Sequence, residues 1–181
     1  MIRSECPADY AAIDKIHTLA FGHGWEALLI RRLRETRSFD PDFSLIADEG
    51  EGALGHVMFT HVTVEDTVNS VPAVVLAPLA VLENCRSGGI GTKLVTEGIR
   101  RCKERGDRIM LVYGGPYYDR FGFKLARDHH IFRPDPVPGQ QLRVLELVPG
   151  ALEGVSGVIR YPAAFGPLLN CTSEEQKSPF R

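Results

Sequence analysis

The sequence predicts an α/β (α+β) domain, a mixed sheet flanked by helices. Two observations carry that expectation. Phe43 to Asp48 and Ala53 to Val64 are apolar, alternating segments joined by the turn Glu49-Gly50-Glu51-Gly52, which reads as a hairpin. From Val74 to Val112 an apolar strand, an amphipathic helix and a second apolar strand follow one another, an order that sets two strands in parallel. At 181 residues the chain has the length of one domain, able to bury about 70% of its unfolded surface without disulfides.

The elements follow in order. Pro7 to Phe21 reads as a helix with proline in its first turn, and Tyr10, Ile13, Ile16, Leu19 and Ala20 are expected along one side. Gly22 and Gly24 punctuate it before a second helix, Trp25 to Thr36, with Leu28, Leu29 and Leu33 inward and Arg31, Arg32 and Arg34 on a solvated face. In the hairpin's second strand, His56, Met58, Thr60 and Val62 alternate with Val57, Phe59, His61 and Thr63.

Val71 to Val81 is more continuously apolar and broken by Pro78, which demands an edge or a bulge and would splay the strand just before a glycine turn. Ile90 to Arg105 is a helix with Ile90, Leu94, Val95, Ile99 and Cys102 on its apolar face, Lys103 and Arg105 at its negative end and Gly106 as its stop. Arg108 to Tyr113 is a buried strand, beyond Pro116 a short helical turn reaches Phe121-Gly122-Phe123, and Leu142 to Leu147 is the last expected strand. Residues 1–148 form the domain and 149–181 an irregular tail packed on it, with Glu174 to Arg181 frayed and Asp135 to Gly139 a rigid loop.

Composition narrows the function. The formal charge of −2 argues against a nucleic-acid binder, and no apolar run approaches the ~20 residues of a membrane helix. Cys6, Cys85, Cys102 and Cys171 are scattered and read as reduced thiols in a cytoplasmic protein. The six histidines, His129-His130 among them, fall in no metal-binding spacing, so no metal is expected.

The segment richest in chemistry is Val81 to Val95. Its apolar strand runs through Arg86-Ser87-Gly88-Gly89-Ile90-Gly91 straight into a helix, and that layout builds an anion site. Glycines let the backbone approach a ligand, and the first helical turn offers amides without intrahelical partners beside the positive end of the helix dipole. A P-loop is excluded because Gly91 is followed by Thr92-Lys93-Leu94 rather than Lys-Ser or Lys-Thr. A dinucleotide fingerprint is excluded because its third small residue is Leu94.

Arg86 to Gly91 matches instead the [QR]-x-x-G-x-[GA] pyrophosphate loop of the GNAT superfamily of N-acetyltransferases. Gly114-Gly115-Pro116-Tyr117-Tyr118-Asp119-Arg120-Phe121-Gly122-Phe123 resembles the Y-x-x-x-G-F segment that closes the acyl site in that superfamily, with Tyr118 in the tyrosine position. With Ala77-Pro78-Leu79-Ala80-Val81, Pro149 to Leu152 and Tyr161 to Phe165, the chain resembles the YhbS-like branch along most of its length.

The resemblance implies a mostly antiparallel sheet splayed at the acyl-CoA site, with acetyl-CoA as cosubstrate and no metal. It assigns CoA to Leu79, Ala80, Val81, Arg86, Ser87, Gly88, Gly89, Ile90, Gly91, Thr92, Tyr118 and Phe121. It aims the Val81 backbone N–H at the thioester oxygen and makes Tyr118 the acid for the departing thiolate. The implied reaction is direct acetyl transfer, in a ternary complex, to a primary amine on a small molecule or peptide, with neither nucleic acid nor membrane as partner. A non-catalytic acyl-CoA-binding or regulatory module is the alternative, since Val74 to Val81 carries no carboxylate to act as base. Glu26 and His61 are possible bases, although a solvated or strand-face role is the simpler reading of each, and neither is assigned. Exposed strands near the C terminus could pair two copies into a homodimer.

Overall fold

A computed structural model of the chain describes residues 1–50, 52–134 and 140–166. They fall into two compact units, Met1–Phe59 with Ala77–Arg101 and Thr60–Leu76 with the chain from Cys102 onward. Strands β3 and β4, defined below, pass from one unit to the other.

The first unit begins with β1 (Ile2–Ser4), then α1 (Tyr10–Phe21) and α2 (Trp25–Arg34), then β2 (Ser44–Asp48) and the first half of β3 (Ala53–Glu65). β1 pairs antiparallel with β2, and β2 with β3. The unit closes with the last part of β4 (Ser70–Val81) and most of α3 (Ile90–Arg105). The expected bounds of α3 are those observed. Pro7–Asp9 is a 3-10 turn rather than part of α1, because Asp9 accepts from the Cys6 N–H and starts the helix there.

Successive strand residues point to opposite faces, and β3 shows it. His56 meets His17 of α1, whereas Gly55 meets Ile90 and Leu94 of α3 and Phe59 lies against Gly98 of the same helix. The two helices therefore cover opposite faces of β3. A Cβ on Gly55 would come within 3.1 Å of the Ala80 carbonyl oxygen, Ile90 Cγ2 and Leu94 Cδ1. Close helix–strand packing thus depends on a glycine in the strand, which is how a leucine fits in the helix.

One inward and one outward assignment need correction. Leu19 is 62% exposed and His17 is fully buried. At about 100° per residue, Leu19 lies roughly 240° from Ile13, whereas His17 lies within about 40° of it. On α2 the same arithmetic puts Arg34 on the stripe of Ile30 and Leu33, and its side chain is 7% exposed rather than solvated.

In the second unit the β3–β4 hairpin closes on Asp66, which accepts from the Val68 and Asn69 amides. β4 pairs parallel with β5 (Ile109–Gly114) through Val74–Leu76 against Met110–Val112. Next come β6 (Lys124–Leu125), β7 (Ile131–Phe132), β8 (Gln141–Glu146) and β9 (Gly157–Arg160). β8 runs antiparallel to both β5 and β6, and β9 antiparallel to β3 and parallel to β7. Most pairings are antiparallel, as expected.

β9 corrects the reading of the tail, since a strand lies where irregular chain was expected. Ile159 is completely buried, and the strand finds its pairing partner in distant β3, a contact local patterning does not signal. Asp135 to Gly139 and Glu174 to Arg181 lie outside the described residues. No described helix is long and apolar enough to cross a membrane.

Candidate active site

The turn after β4 is shaped for an anion. Ser87 and Gly89 both take left-handed backbone, at φ 70° and 76°, which turns successive amides about a concave stretch of chain. Glycine adopts that geometry without cost, whereas Ser87 holds it as a non-glycine residue. The Lys93 N–H donates to the Gly89 carbonyl at 2.9 Å, so Gly89 caps α3 and the amides of Ile90, Gly91 and Thr92 form its first turn.

Upstream, the Leu82 N–H donates to the Leu54 carbonyl at 2.9 Å. Amides alternate in direction along a strand, so the Val81 N–H faces away from β3. The parallel register with β5 ends at Leu76, five residues before Val81. The splay expected from Pro78 is therefore realised as a short register.

Arg86 is engaged with two backbone carbonyls. Its Nε donates to the Val81 carbonyl at 3.3 Å and its Nη2 to the Ala20 carbonyl at 3.5 Å. One guanidinium thus joins the end of β4 to the last turn of α1.

In the second unit Tyr118 lies in the 3-10 turn Pro116–Phe121 and is 6% exposed. Its ring meets Tyr117 and Phe123 edge-on, and a Cβ on Gly114 would stand 2.7 Å from its Cε2. Phe121 packs its edge on Tyr117. Burial pushes the Tyr118 phenol well above its ordinary value, so the group holds its proton at neutral pH. Full proton donation is correspondingly costly, which suits Tyr118 better to a hydrogen bond than to an ionising step. Arg143, 7% exposed on β8, donates from Nε to the Gly114 carbonyl at 3.4 Å and from Nη1 to Asp119, bracing the strand and the turn that present Tyr118. Sequence reading missed Arg143; its signal was an arginine set between the apolar residues Leu142 and Val144 of a strand.

Two polar clusters flank α1 in the first unit. In one, Arg34 donates from Nε and Nη2 to Glu5 at 2.8 and 2.7 Å. His56 Nε2 lies 2.8 Å from Ser44 Oγ and 3.5 Å from Glu5 Oε2, and its Nδ1 is 2.9 Å from His17 Nε2. Glu5 only accepts, which sets His56 Nε2–H as a donor and leaves its Nδ1 to accept from His17. In the other, His23 Nδ1 lies 3.1 Å from Glu26 Oε2 across the α1–α2 turn. Among the described residues both His23 ring nitrogens and Glu26 Oε2 lack a hydrogen-bond partner. Burial raises the Glu26 carboxyl above its usual range, an effect the neighbouring His23 partly counters.

His61 stands apart from both clusters, with its side chain 53% exposed and paired with Asp107 at 3.0 Å in the second unit. Among the described residues no group of three or more His, Cys, Asp or Glu side chains is placed to hold a metal ion.

A mixed α+β sheet with a strand ending in an outward amide, followed by an amide-lined turn and a helix, is the architecture of an acyl-transfer fold. The chain belongs to the acetyltransferase (GNAT) family, whose model matches residues 10–123. It is 34% identical over 166 residues to the uncharacterized N-acetyltransferase YhbS of Escherichia coli (strain K12), covering 91% of this chain and 98% of that protein. The crystal structure of Escherichia coli YhbS in complex with CoA superposes with a TM-score of 0.80 at 35% identity, over 92% of this chain and 91% of that one. A GNAT family acetyltransferase from Brucella melitensis in complex with acetyl-CoA gives 0.74 at 29% identity, over 91% of this chain and 97% of that one.

Proposed function

We propose that this protein is an acetyl-CoA-dependent N-acetyltransferase that passes acetyl directly, in a ternary complex, to a primary amine on a small molecule or peptide. The observation that carries the reading is the turn from Arg86 to Thr92, with two left-handed residues ahead of the unpartnered first-turn amides of α3. Those donors suit the CoA pyrophosphate, and a helix start favours a negative group by about 0.3–1 kcal/mol, up to ~2 when partly buried. CoA in the YhbS crystal structure and acetyl-CoA in the Brucella structure support the same assignment.

In this reading Leu79 to Val81 lie along the pantetheine arm, and the Val81 N–H stabilises the oxyanion at the thioester carbonyl. The amine nitrogen forms its bond to the carbonyl carbon as the carbon–sulfur bond breaks. Tyr118 donates a hydrogen bond to the departing sulfur, and the thiolate leaves to be protonated as CoA thiol. Arg86 answers the phosphates or holds Val81 and Ala20 in place.

Thermal melting with acetyl-CoA or CoA tests the cofactor site. Ligand at about 100 times its Kd adds ~2.7 kcal/mol of stability, and two unmoved melting curves overturn the assignment. CoA release with a panel of primary amines tests transfer; a melting shift without turnover on any of them favours the non-catalytic module. Tyr118→Phe is expected to keep the melting shift and lower turnover about 10- to 100-fold, the low end of acid catalysis.

A further inference from the structure

We infer that Arg133, held against Tyr113 and Tyr161, is a clamp for a carboxylate, so that the amine acetylated belongs to a molecule that also carries a carboxylate group. The inference rests on the acetyltransferase reading and deepens it by naming the chemical class of the acceptor.

The guanidinium of Arg133 lies 4.0 Å over the Tyr113 ring and 6.0 Å from the centre of the Tyr161 ring. Two electron-rich faces thus hold the cation without using its N–H donors. Its Nε is buried, and among the described residues it has no hydrogen-bond partner. Arginines that serve the fold are spent differently here: Arg143 donates to Gly114 and Asp119, Arg34 to Glu5, and Arg3 to Asp9 and Asp48. A buried donor is ordinarily paired, so an oriented arginine with an unmade Nε–H marks a place that meets an acceptor from outside the chain.

The clamp is assembled at strand ends. Tyr113 is the next-to-last residue of β5, Arg133 directly follows β7 and Tyr161 directly follows β9. β7 and β9 are parallel neighbours, with Phe132 opposite Val158, so both chains leave the sheet at the same edge. Segments far apart in sequence therefore converge on one cation at the carboxyl ends of strands, where open α/β sheets receive ligands.

Tyr118 belongs to the same strand end. A Cβ on Gly114 would stand 2.7 Å from the Tyr118 ring, so that ring covers the Gly114 side of β5. Successive strand residues point to opposite faces, which sets Tyr113 and its guanidinium on the other face, one residue away. In the acetyltransferase reading Tyr118 meets the departing sulfur, and the amine must reach the thioester carbon from a side that the sulfur does not occupy. A molecule anchored on the Tyr113 face has that approach.

The class of ligand follows from the donor. A guanidinium presents a planar fork whose paired N–H groups match the two oxygens of a carboxylate, and one cation balances one negative charge. Stacking on tyrosine fixes the plane of the fork and with it the orientation of the ligand. Arg133 is half-buried rather than exposed, which strengthens a charge pair relative to one in open water. An acceptor with an uncharged tail forfeits the charge-assisted bond, and a site built to bond a group discriminates against the analogue that lacks it.

The test sets β-alanine, γ-aminobutyrate and ε-aminocaproate each beside its carboxamide, which differs chiefly in losing the negative charge. In wild type at least one acid is expected to be acetylated with a kcat/KM about 10-fold or more above that of its amide. Arg133→Gln should raise the KM for that acid and bring acid and amide within about threefold of each other, with the KM for acetyl-CoA and its melting shift unchanged. Arg133→Lys, which keeps the charge and loses the fork, should fall between the two. Equal use of acid and amide in wild type, or a preference that survives Arg133→Gln, overturns the inference. The NMR resonance of the Arg133 Nε–H covers the case of no turnover, since it should move saturably with at least one acid. If acetyl-CoA shifts the melting curve and every acid leaves that resonance still, the clamp is not a carboxylate site. A melting curve that acetyl-CoA does not move would overturn the acetyltransferase reading beneath it instead.

Discussion

Two polar clusters touch α1, one closed upon itself and one open. Around His17 nearly every group has a partner, from Arg34 through Glu5 and His56 to Ser44, and one atom, His17 Nδ1, is left over. Around His23 three polar atoms are buried with no hydrogen bond among the described residues. Both clusters combine histidine with glutamate, yet the first joins the side chains of Arg34, Glu5, Ser44, His56 and His17, whereas the second is a single His23–Glu26 pair at 3.1 Å. Residue type alone does not separate the two clusters; the count of hydrogen-bonded atoms does.

Breaking the closed cluster should have the largest effect. Glu5→Ala leaves Arg34 as a buried, uncompensated cation, and losing one partner of such a pair costs about 3–5 kcal/mol. Urea unfolding is the measurement. The double change Glu5→Leu with Arg34→Met removes both charges and should recover most of that loss, since an apolar replacement of a buried pair is often neutral.

Acid separates the clusters by sign. Burial holds His17 well below its usual value and lowers His56 too, although Glu5 pulls His56 back up. The unfolded chain therefore binds protons at these histidines first, and stability falls as pH drops through about 6.5, by up to ~1.4 kcal/mol per unit for each group. Burial alone would raise Glu5, but hydrogen bonds from Arg34, His56 and Ser44 outweigh it and hold the carboxyl at about 2, so a further loss sets in below about 4.5. Glu26 runs the other way. Its folded value is raised, so the folded state keeps that proton longer, and its contribution declines as pH rises above about 4.5. Melting temperature against pH in wild type and Glu26→Gln should show the variant gaining on wild type as pH rises from 4 to 7.

The sequence made the glycine turn easier to find than the closed cluster. The glycine turn and α3 were legible because their signals are local: Arg86 to Gly91 fixes a backbone shape, and Ile90 to Arg105 carries its own stop at Gly106. The closed cluster was hidden because its members come from the residue after β1 and from α1, α2, β2 and β3, and no local pattern joins Glu5 to Arg34 or His17 to His56. Helical spacing did place His17 and Arg34 inward, but the expectation that arginines face solvent and leucines the core overrode it. β9 was missed for the same reason, since β3, one of its two partners, lies far earlier in the chain. Glu26 was visible as a possible base, but its unmade hydrogen bonds are a property of atoms and appear only in coordinates.

The smallest effect is the most diagnostic. Glu26→Gln keeps the size of the side chain and removes a carboxylate whose buried oxygen has no hydrogen-bond partner among the described residues, so stability near pH 7 should stay the same or rise by up to about 1 kcal/mol. A glutamate kept for the fold would behave like Glu5 and lose stability on the same change. Removing a group that the fold holds at a cost should instead leave stability unchanged or raise it. Urea unfolding near pH 7 reads the sign, and a loss of more than about 1 kcal/mol would move Glu26 into the structural class and erase the difference between the two clusters.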